Sequence, residues 1–247
     1  MALVKAQGLV IKSANFGESS RMLTVLTREF GKIQVAANNV RRGGGKIGAQ
    51  VFSYSNFTLF QGQKSMYRLN DAECVEYFEP LRTDVEKLSY AAYFAEIACN
   101  VTSENSADDE QFLKLLLNSL HLLCRDSVVS RKIKAVFELR GISLAGFMPD
   151  FGGCADCGSA RNISSFDLVN GVVRCGNCVR VAAGIAEFND ALRNACEYIT
   201  QADSGKIFSF DMSDELLEYL GCVTERYVAA QIDRRLQSLE YLKKILR

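Results

Sequence analysis

The stretch GGCADCGSARNISSFDLVNGVVRCGNCVR, residues 152–180, holds four cysteines in two pairs of identical spacing. Cys154 and Cys157 form one C-x2-C pair, and Cys175 and Cys178 form the other, after a spacer of seventeen residues. Two such turns supply the four thiolates of a tetrahedral metal site. The pattern predicts one structural Zn2+ ion, with a rubredoxin-like iron centre or two disulfides as alternatives. Because cysteine fills all four positions, we expect the site to stabilise a fold and perform no chemistry.

The composition is that of a globular protein with one large or two modest domains. The chain has 247 residues, and 48% of them are apolar. No run approaches the roughly 20 apolar residues of a membrane span, and polar Lys5 and Gln7 interrupt the N-terminal apolar segment, unlike a signal peptide. The other five cysteines share no spacing and are expected to be buried thiols in a reducing cytosol. We therefore expect a cytoplasmic protein with no membrane partner.

The net charge of zero conceals an uneven distribution of charge along the chain. Residues 1–70 contain ten basic side chains and two acidic ones, a net charge of +8, which leaves −8 for the remainder. A cationic segment on an anionic body is typical of nucleic-acid-binding proteins. A solvated basic face, or one that docks on the acidic half, is the alternative.

The first 78 residues predict five short β-strands. In the third, Lys32 to Ala37, apolar Ile33 and Val35 alternate with polar Lys32 and Gln34. A glycine-rich basic loop, residues 38–46, separates the third strand from the fourth. Five strands in about eighty residues favour a small closed barrel of the OB type.

After Pro80 the apolar period becomes helical. A capping-box pair, Thr83 and Glu86, is expected to begin the first helix, and further helices are expected near residues 108–125, 128–140, 189–202 and 213–235. The sequence thus predicts an α+β fold. An OB-fold DNA-binding domain, residues 1–80, precedes an all-helical domain, residues 81–247, which a zinc module at 152–180 interrupts.

The sequence offers no catalytic group of a familiar kind. His121 is the only histidine and lies among leucines, so Ser-His and Cys-His arrangements are disfavoured. There is no Walker loop and no G-x-G-x-x-G motif, and no carboxylate cluster resembles a two-metal nuclease site. We expect a protein that is not an enzyme and has no small-molecule substrate.

The basic barrel is the better candidate for function. OB barrels bind single strands through a cationic groove with aromatic side chains on which bases stack. Phe16, in the first inter-strand loop, is the best stacking candidate, with core packing as its alternative, whereas alternation places Phe57 in the core. We expect phosphate contacts that are sensitive to salt. The candidate DNA-binding residues are Lys12, Phe16, Arg21, Arg28, Lys32, Arg41, Arg42, Lys46, Lys64 and Arg68.

A second basic group lies on the third predicted helix. Arg131, Lys132 and Lys134 stand close to Phe137. A cationic rim beside apolar side chains can capture an acidic, hydrophobic peptide end. An ordinary solvated helix face is the alternative.

Together these segments resemble the RecO family of bacterial recombination mediators over nearly the whole chain. The first matching block is LTVLTREFGKI, with the core Thr27-Arg28-Glu29 and then Gly31-Lys32. The second begins at Phe137-Glu138-Leu139 and runs through Gly146 and Pro149 into the cysteine pairs. Two positions depart from the family pattern. Asn38-Asn39 replaces a small glycine-containing turn, and Gly141 stands where the family usually has leucine, which would let the third helix stop or bend there.

The resemblance implies a DNA-binding mediator that is associated with the nucleoid. Such proteins bind single- and double-stranded DNA, anneal complementary strands and, with RecR, load RecA on strands coated by single-strand-binding protein (SSB); a role for RecF stays open. They also bind the acidic C-terminal tail of SSB on the helical domain, which makes Arg131, Lys132, Lys134 and Phe137 the candidate tail site. The alternatives are a zinc-stabilised protein–protein adaptor without DNA binding, an iron–thiolate redox protein and, more remotely, a nuclease.

Overall fold

The computed structural model describes residues 2–16, 20–38, 47–62, 66–104, 106, 109–179, 182, 184–232 and 234–246. The chain forms two compact units, residues 1–125 together with 236–247, and residues 126–235. The helices that follow residue 80 up to residue 125 therefore pack in the same unit as the N-terminal strands. The domain boundary expected at residue 80 stays a prediction.

Five strands close into a barrel in the first unit. Their bounds are β1 (Ala2–Phe16), β2 (Ser20–Thr27), β3 (Gly31–Ala37), β4 (Tyr54–Gln61) and β5 (Met66–Glu76). The strand order around the barrel is β1-β2-β3-β5-β4. Strands β3 and β5 pair in parallel, and the other neighbouring strands are antiparallel. The five-stranded OB-type barrel predicted from the sequence is confirmed.

The alternation along the strands fills the barrel with apolar side chains. Ile33 and Val35 lie opposite Val25 and Leu23 across the β2–β3 pair, and all four side chains are buried. Phe57 on β4 is also buried, as the sequence predicts. The side chains between these positions face outward, which leaves the outer wall of the barrel for polar and charged groups.

The β2–β3 turn is shaped by Thr27 and Gly31. The Thr27 hydroxyl donates to the Gly31 carbonyl at 2.8 Å and accepts from the Phe30 N–H at 3.1 Å. Gly31 has a φ of +61°, and a Cβ there would lie 1.8 Å from the carbonyl oxygen of Ser106. Only glycine satisfies both conditions, because it tolerates a left-handed backbone and has no side chain.

In the described part of this unit, the α-helices are α1 (Pro80–Thr83), α2 (Val85–Val101), α3 (Glu110–Arg125) and α7 (Gln237–Ile245). The expected capping box of Thr83 with Glu86 is wrong. Residues 80–83 form their own helical turn, and Asp84 caps α2 by accepting from the N–H groups of Glu86 at 2.8 Å and Lys87 at 3.1 Å. Farther along α2, the Glu96 carboxylate accepts from the Gln237 and Ser238 N–H groups and so caps α7.

The second unit combines helices with a small sheet. Its helices are α4 (Ser130–Leu144), α5 (Asp190–Gln201) and α6 (Asp214–Gln231). Its strands are β6 (Asp150–Cys154), β7 (Ile163–Asp167), β8 (Val172–Cys175) and β9 (Ile185–Glu187), in the order β6-β8-β7-β9. Helix α4 passes through Gly141 and continues to Leu144, so it does not stop at the glycine.

An aromatic cluster fixes the sheet to α6. The Phe166 ring on β7 packs against Phe151, Phe188 and, from α6, Tyr227, with centroid separations of 5.3 to 5.4 Å. Burial raises the pKa of the Tyr227 hydroxyl to about 12, and this hydroxyl donates to the Phe147 carbonyl at 2.8 Å. The cysteine segment therefore rests on a packed apolar base.

Within the described part of the chain, no helix combines the length and the hydropathy needed to cross a lipid bilayer.

Candidate metal centre and nucleic-acid interface

The four predicted ligands come together at one end of the small sheet. Cys154 is the last residue of β6 and Cys175 the last of β8, and a tight turn after each strand carries Cys157 and Cys178. The four Sγ atoms all lie within 4.8 Å of one another. Pairing of β6 with β8 therefore brings together two cysteine pairs that are separated in the sequence.

Backbone hydrogen bonds shape both cysteine turns. The Gly158 N–H donates to the Cys154 carbonyl at 2.8 Å, and the Cys178 N–H donates to the Cys175 carbonyl at 2.9 Å. Gly158 has a φ of +74°, a conformation that favours glycine directly after the first pair. Each turn therefore presents two thiols to the same side.

The sulfur positions fit a four-thiolate metal ion. The Sγ atoms of Cys157 and Cys175 are 3.7 Å apart. A disulfide needs about 2.05 Å, whereas a tetrahedron with Zn–S bonds of about 2.3 Å has S–S edges of about 3.8 Å. All nine cysteines of the chain are free thiols in the structure. The arrangement can therefore hold a metal ion, and it contains neither of the two disulfides that the sequence left open.

The electrostatics of the sulfurs also favour a bound cation. The Cys175 backbone N–H, helped by those of Asp156 and Cys157, lowers the pKa of the Cys154 thiol to about 6. Interactions with Cys157 and Cys175 raise the pKa of the Cys178 thiol to about 12. Four adjacent thiolates repel one another, so full deprotonation requires a positive ion between them.

A chain of ion pairs, buried at Asp167 and exposed at Asp156, supports the first cysteine turn. Arg174, next to Cys175, lies 3.1 Å from the Asp156 carboxylate and 2.9 Å from that of Asp167. Burial by itself would raise the pKa of Asp167, but hydrogen bonds from Asn170, Arg174 and the Val169 N–H lower it to about 2. Asp156 stands between the first two cysteines, so Arg174 links that turn to β7 and β8.

The predicted DNA-binding residues fall into two groups. Arg41, Arg42, Lys46 and Lys64 lie outside the described residues. The other six belong to the first unit. Three of them, Lys12, Phe16 and Arg68, are exposed on the outer wall of the barrel, and we call this set the cationic face. Arg21 alternates with inward-facing Leu23 and Val25 on β2, so its half-buried side chain lies on the other side of the sheet.

Strand register relates β1, which carries Lys12 and Phe16, to β5, which carries Arg68. Phe16 pairs with Ser20, and the next residue, Arg21, pairs with Ala37 at the end of β3. The neighbouring Ala36 pairs with Arg68 at the beginning of β5. Lys12 lies four residues before Phe16 on β1 and faces outward, as does Arg68. Phe16 is 52% exposed, so it is not a core side chain and its ring is free to meet a base.

Lys32 and Arg28 are occupied by contacts within the unit. Lys32 is buried, and its ammonium donates to the carbonyl oxygens of Cys99 at 2.7 Å and Thr102 at 2.5 Å. Arg28 forms an ion pair with Glu110 at 3.1 Å but keeps 61% of its side chain exposed. Lys32 therefore stabilises the end of α2, whereas Arg28 retains a surface that a phosphate could reach.

A different part of the barrel wall is acidic. Lys5 on β1 lies in register with Thr58 and then Asp71, and Gln7 with Asn56 and then Glu73. These side chains, with Glu29, line an open depression of about 410 Å³. Charge is thus distributed unevenly around the barrel. Among the other described basic residues of its strands and turns, Lys5 lies beside carboxylates, Arg28 is paired and Lys32 is buried.

The predicted peptide site on α4 is divided between core and surface. Phe137 is fully buried, and Lys134 lies between Glu138 at 2.8 Å and Glu225 at 2.9 Å. Burial alone would lower the pKa of Lys134, but these two carboxylates raise it. Arg131 and Lys132 are closer to the surface. Arg131 pairs with Asp214, and Lys132 donates to the Phe210 carbonyl and lies 4.4 Å above the Phe210 ring.

Sequence reasoning missed several supporting residues. The Asp156–Arg174–Asp167 chain and the guanidinium of Arg193, which donates to three carbonyls around the first cysteine turn, carry no spacing motif. For Arg174, the sequence offers one signal of this supporting role, which is its position directly before the predicted ligand Cys175.

Two family models match the chain. The model described as "Recombination protein O N terminal" matches residues 1–78, and that described as "Recombination protein O C terminal" matches residues 82–240. The DNA repair protein RecO of Acetivibrio thermocellus is 33% identical over 99% of this chain and 98% of its own length. The RecO protein of Alkaliphilus metalliredigens is 33% identical over 98% of this chain and 100% of its own length. That of Symbiobacterium thermophilum is 31% identical over 98% of this chain and 97% of its own length.

Proposed function

The chain belongs to the RecO family of DNA repair proteins, and from that premise we propose that it is a non-catalytic recombination mediator that binds DNA and anneals complementary strands. It acts on single- and double-stranded DNA in the cytoplasm, at the nucleoid. With RecR it helps to load RecA on strands coated by SSB, and RecF is a further candidate partner.

The observation that carries the proposal is the exposed cationic face on an OB barrel. Lys12 and Arg68 are exposed, and Phe16, four residues after Lys12 on β1, supplies an exposed aromatic ring. Such a surface can bind a sugar–phosphate chain through charge and retain one or two bases by stacking. Because phosphate contacts carry no sequence information, binding is independent of sequence.

Annealing follows from charge and local concentration. Two DNA strands repel each other as polyanions, and a cationic surface that holds one of them lowers this repulsion and brings the second strand near. The bases must stay available for pairing, so contacts to phosphates serve annealing better than contacts to base edges. None of these steps needs a catalytic residue.

The metal of the four-cysteine site is, in this proposal, a single structural Zn2+ ion. Cys154, Cys157, Cys175 and Cys178 would hold it, and it would fix the two turns and the end of the sheet. Zinc prefers four thiolates in a closed site and has no redox chemistry, which suits a role in stability.

The proposal includes an SSB-tail contact on α4. Because Phe137 and Lys134 are buried, Arg131 and Lys132 are the members of the candidate set that a peptide could touch. A cavity of about 250 Å³, lined by Val129, Lys132 and Leu217 but also by Asp211 and Asp214, adjoins Lys132. Titration with a peptide of the SSB C-terminus tests this contact. Loss of binding in Lys132→Glu, with folding intact, would support it, and unchanged binding would remove it.

The DNA-binding proposal is tested with a labelled single-stranded oligonucleotide at two salt concentrations, followed by a strand-annealing assay on DNA coated with SSB. We expect tight binding at low salt, weaker binding at high salt and accelerated annealing. A folded, metal-loaded protein that does not bind DNA at low salt would favour the adaptor alternative, in which the basic barrel binds an acidic protein.

A further inference from the structure

One guanidinium holds both ends of the first cysteine turn. Arg193 on α5 donates from Nε to the Phe151 carbonyl at 2.7 Å and from Nη1 to the Ala160 carbonyl at 2.7 Å. Its Nη2 donates to the Gly152 carbonyl at 3.2 Å. Phe151 and Gly152 precede Cys154, and Ala160 follows Cys157. The three carbonyls therefore bracket the first cysteine pair.

Helix α5 fixes the direction of this side chain. Asn189 caps the helix by accepting from the Leu192 N–H at 2.9 Å, and Leu192 and Cys196 are buried beneath it. Glu197, one turn after Arg193, lies 3.2 Å from Nη2, and the Arg193 side chain is only 14% exposed. A planar guanidinium held in this way presents its donors in a rigid fork.

Besides Arg193, the bracketed turn is held by the Arg174–Asp156 ion pair and by backbone hydrogen bonds. The Cys154 N–H donates to the Ser159 carbonyl at 2.9 Å, and a Cβ added at Gly153 would lie 3.0 Å from the Gly158 carbonyl oxygen. Three glycines, at positions 152, 153 and 158, give the segment a large conformational freedom that must be lost on ordering. By contrast, β7 steadies the second pair, since the Asn162 carbonyl just before it accepts from the Gly176 N–H at 2.9 Å.

We infer that Arg193 is a positioning residue for the metal centre and that metal binding is linked to the packing of α5. The side chain sets the separation of the ends of the first turn and so the directions of two of the four thiols. Groups that orient metal ligands contribute strongly to metal affinity. Because linkage is reciprocal, an occupied site in turn holds the carbonyls that anchor Arg193 and steadies α5.

Zinc affinity of the full-length protein tests the inference. A chromogenic chelator competes for zinc with the wild type, Arg193→Ala, Arg193→Lys and the control Arg226→Ala. Arg226 lies on α6 and donates once, at 3.3 Å, to Ile185 in the same sheet without touching a cysteine turn. We expect a loss of about 10- to 100-fold in zinc affinity for Arg193→Ala and a smaller loss for Arg193→Lys, whose ammonium cannot satisfy three carbonyls in a fork. The control should match the wild type.

A second comparison separates positioning from general loosening of α5. Leu192→Ala weakens the packing of the helix but leaves the guanidinium donors in place. With Co2+ in place of zinc, Arg193→Ala should shift the visible absorption of the tetrathiolate site, and Leu192→Ala should not. Amide hydrogen exchange in residues 190–201 should quicken on zinc removal in the wild type and change little in Arg193→Ala. An equal loss of zinc affinity in Leu192→Ala and Arg193→Ala, or wild-type affinity in Arg193→Ala, would overturn the inference.

Discussion

The Nζ atom of Lys32 lies 2.5 Å from the carbonyl oxygen of Thr102, the C-cap residue of α2. The same ammonium reaches the Cys99 carbonyl, so one lysine of the barrel satisfies two carbonyls at the end of a helix. A cation at this end also interacts favourably with the helix dipole. The lysine of the Gly31-Lys32 motif thus joins strand β3 to α2.

Replacement of Lys32 by methionine should therefore affect stability and leave DNA binding intact. The apolar stem is kept, but two carbonyls lose a charged donor, which costs about 1.5–3 kcal/mol in the free energy of unfolding. Urea denaturation measures this loss, and the folded variant should bind an oligonucleotide within about twofold of the wild type. Wild-type stability with greatly weakened DNA binding would instead place Lys32 in the DNA-binding surface.

Substitution of Gly31 by alanine should be strongly destabilising. The new Cβ would lie 1.8 Å from the Ser106 carbonyl oxygen, at a φ of +61° that alanine rarely adopts. We expect a loss of about 2–4 kcal/mol in the free energy of unfolding. Alanine at Gly146, which also has a positive φ but has open space around it, is the matched control and should cost clearly less. Equal losses in both variants would contradict the contact with Ser106.

The Asp167–Arg174 pair predicts a dependence of stability on pH. The folded-state pKa of Asp167, about 2, is below the usual value near 3.8. The carboxylate therefore contributes stability above about pH 4, and this contribution is lost as the pH falls through about 2. Asp167→Asn should be less stable than the wild type by on the order of 1 kcal/mol at pH 7, with the difference shrinking below pH 4. A difference that is constant from pH 7 to pH 2 would contradict the assignment.

Metal analysis of the purified protein distinguishes zinc from iron. We expect one zinc per chain and no visible absorbance, since zinc is a d10 ion. A coloured preparation with stoichiometric iron would support the redox alternative. Cys175→Ser should lower the metal content and destabilise the sheet, whereas Cys222→Ser, an exposed cysteine on α6, should change neither.

Local spacing in the sequence was sufficient to predict the barrel and the cysteine site. Alternation places Ile33, Val35 and Phe57 in the barrel core, and two identical cysteine pairs can meet only if the chain between them folds back. The contacts that the sequence did not predict join residues that are distant in the sequence. Lys32 looks like a solvent-facing lysine of an alternating strand until α2 packs beside it.

The remaining differences have the same origin. Thr83 matches a capping motif, but the turn that begins at Pro80 uses Thr83 and leaves Asp84 as the cap of α2. By sequence, Lys134 and Phe137 lie in a stretch of basic and apolar residues. In the structure both are buried, and Lys134 pairs with Glu225 of α6. The strands of the cysteine module are only three to five residues long, too short for a periodic signal.

The cationic face is tested most directly by charge reversal at Lys12 and Arg68 together, measured as single-stranded DNA affinity over a series of salt concentrations. Lys5→Glu, a reversal on the acidic part of the same barrel, is the control. The double variant should bind much more weakly at low salt, with a slope of log affinity against log salt that is shallower by about 1.4 or more, and the control should resemble the wild type. An unchanged slope in the folded double variant, or an equal loss in Lys5→Glu, would contradict the account.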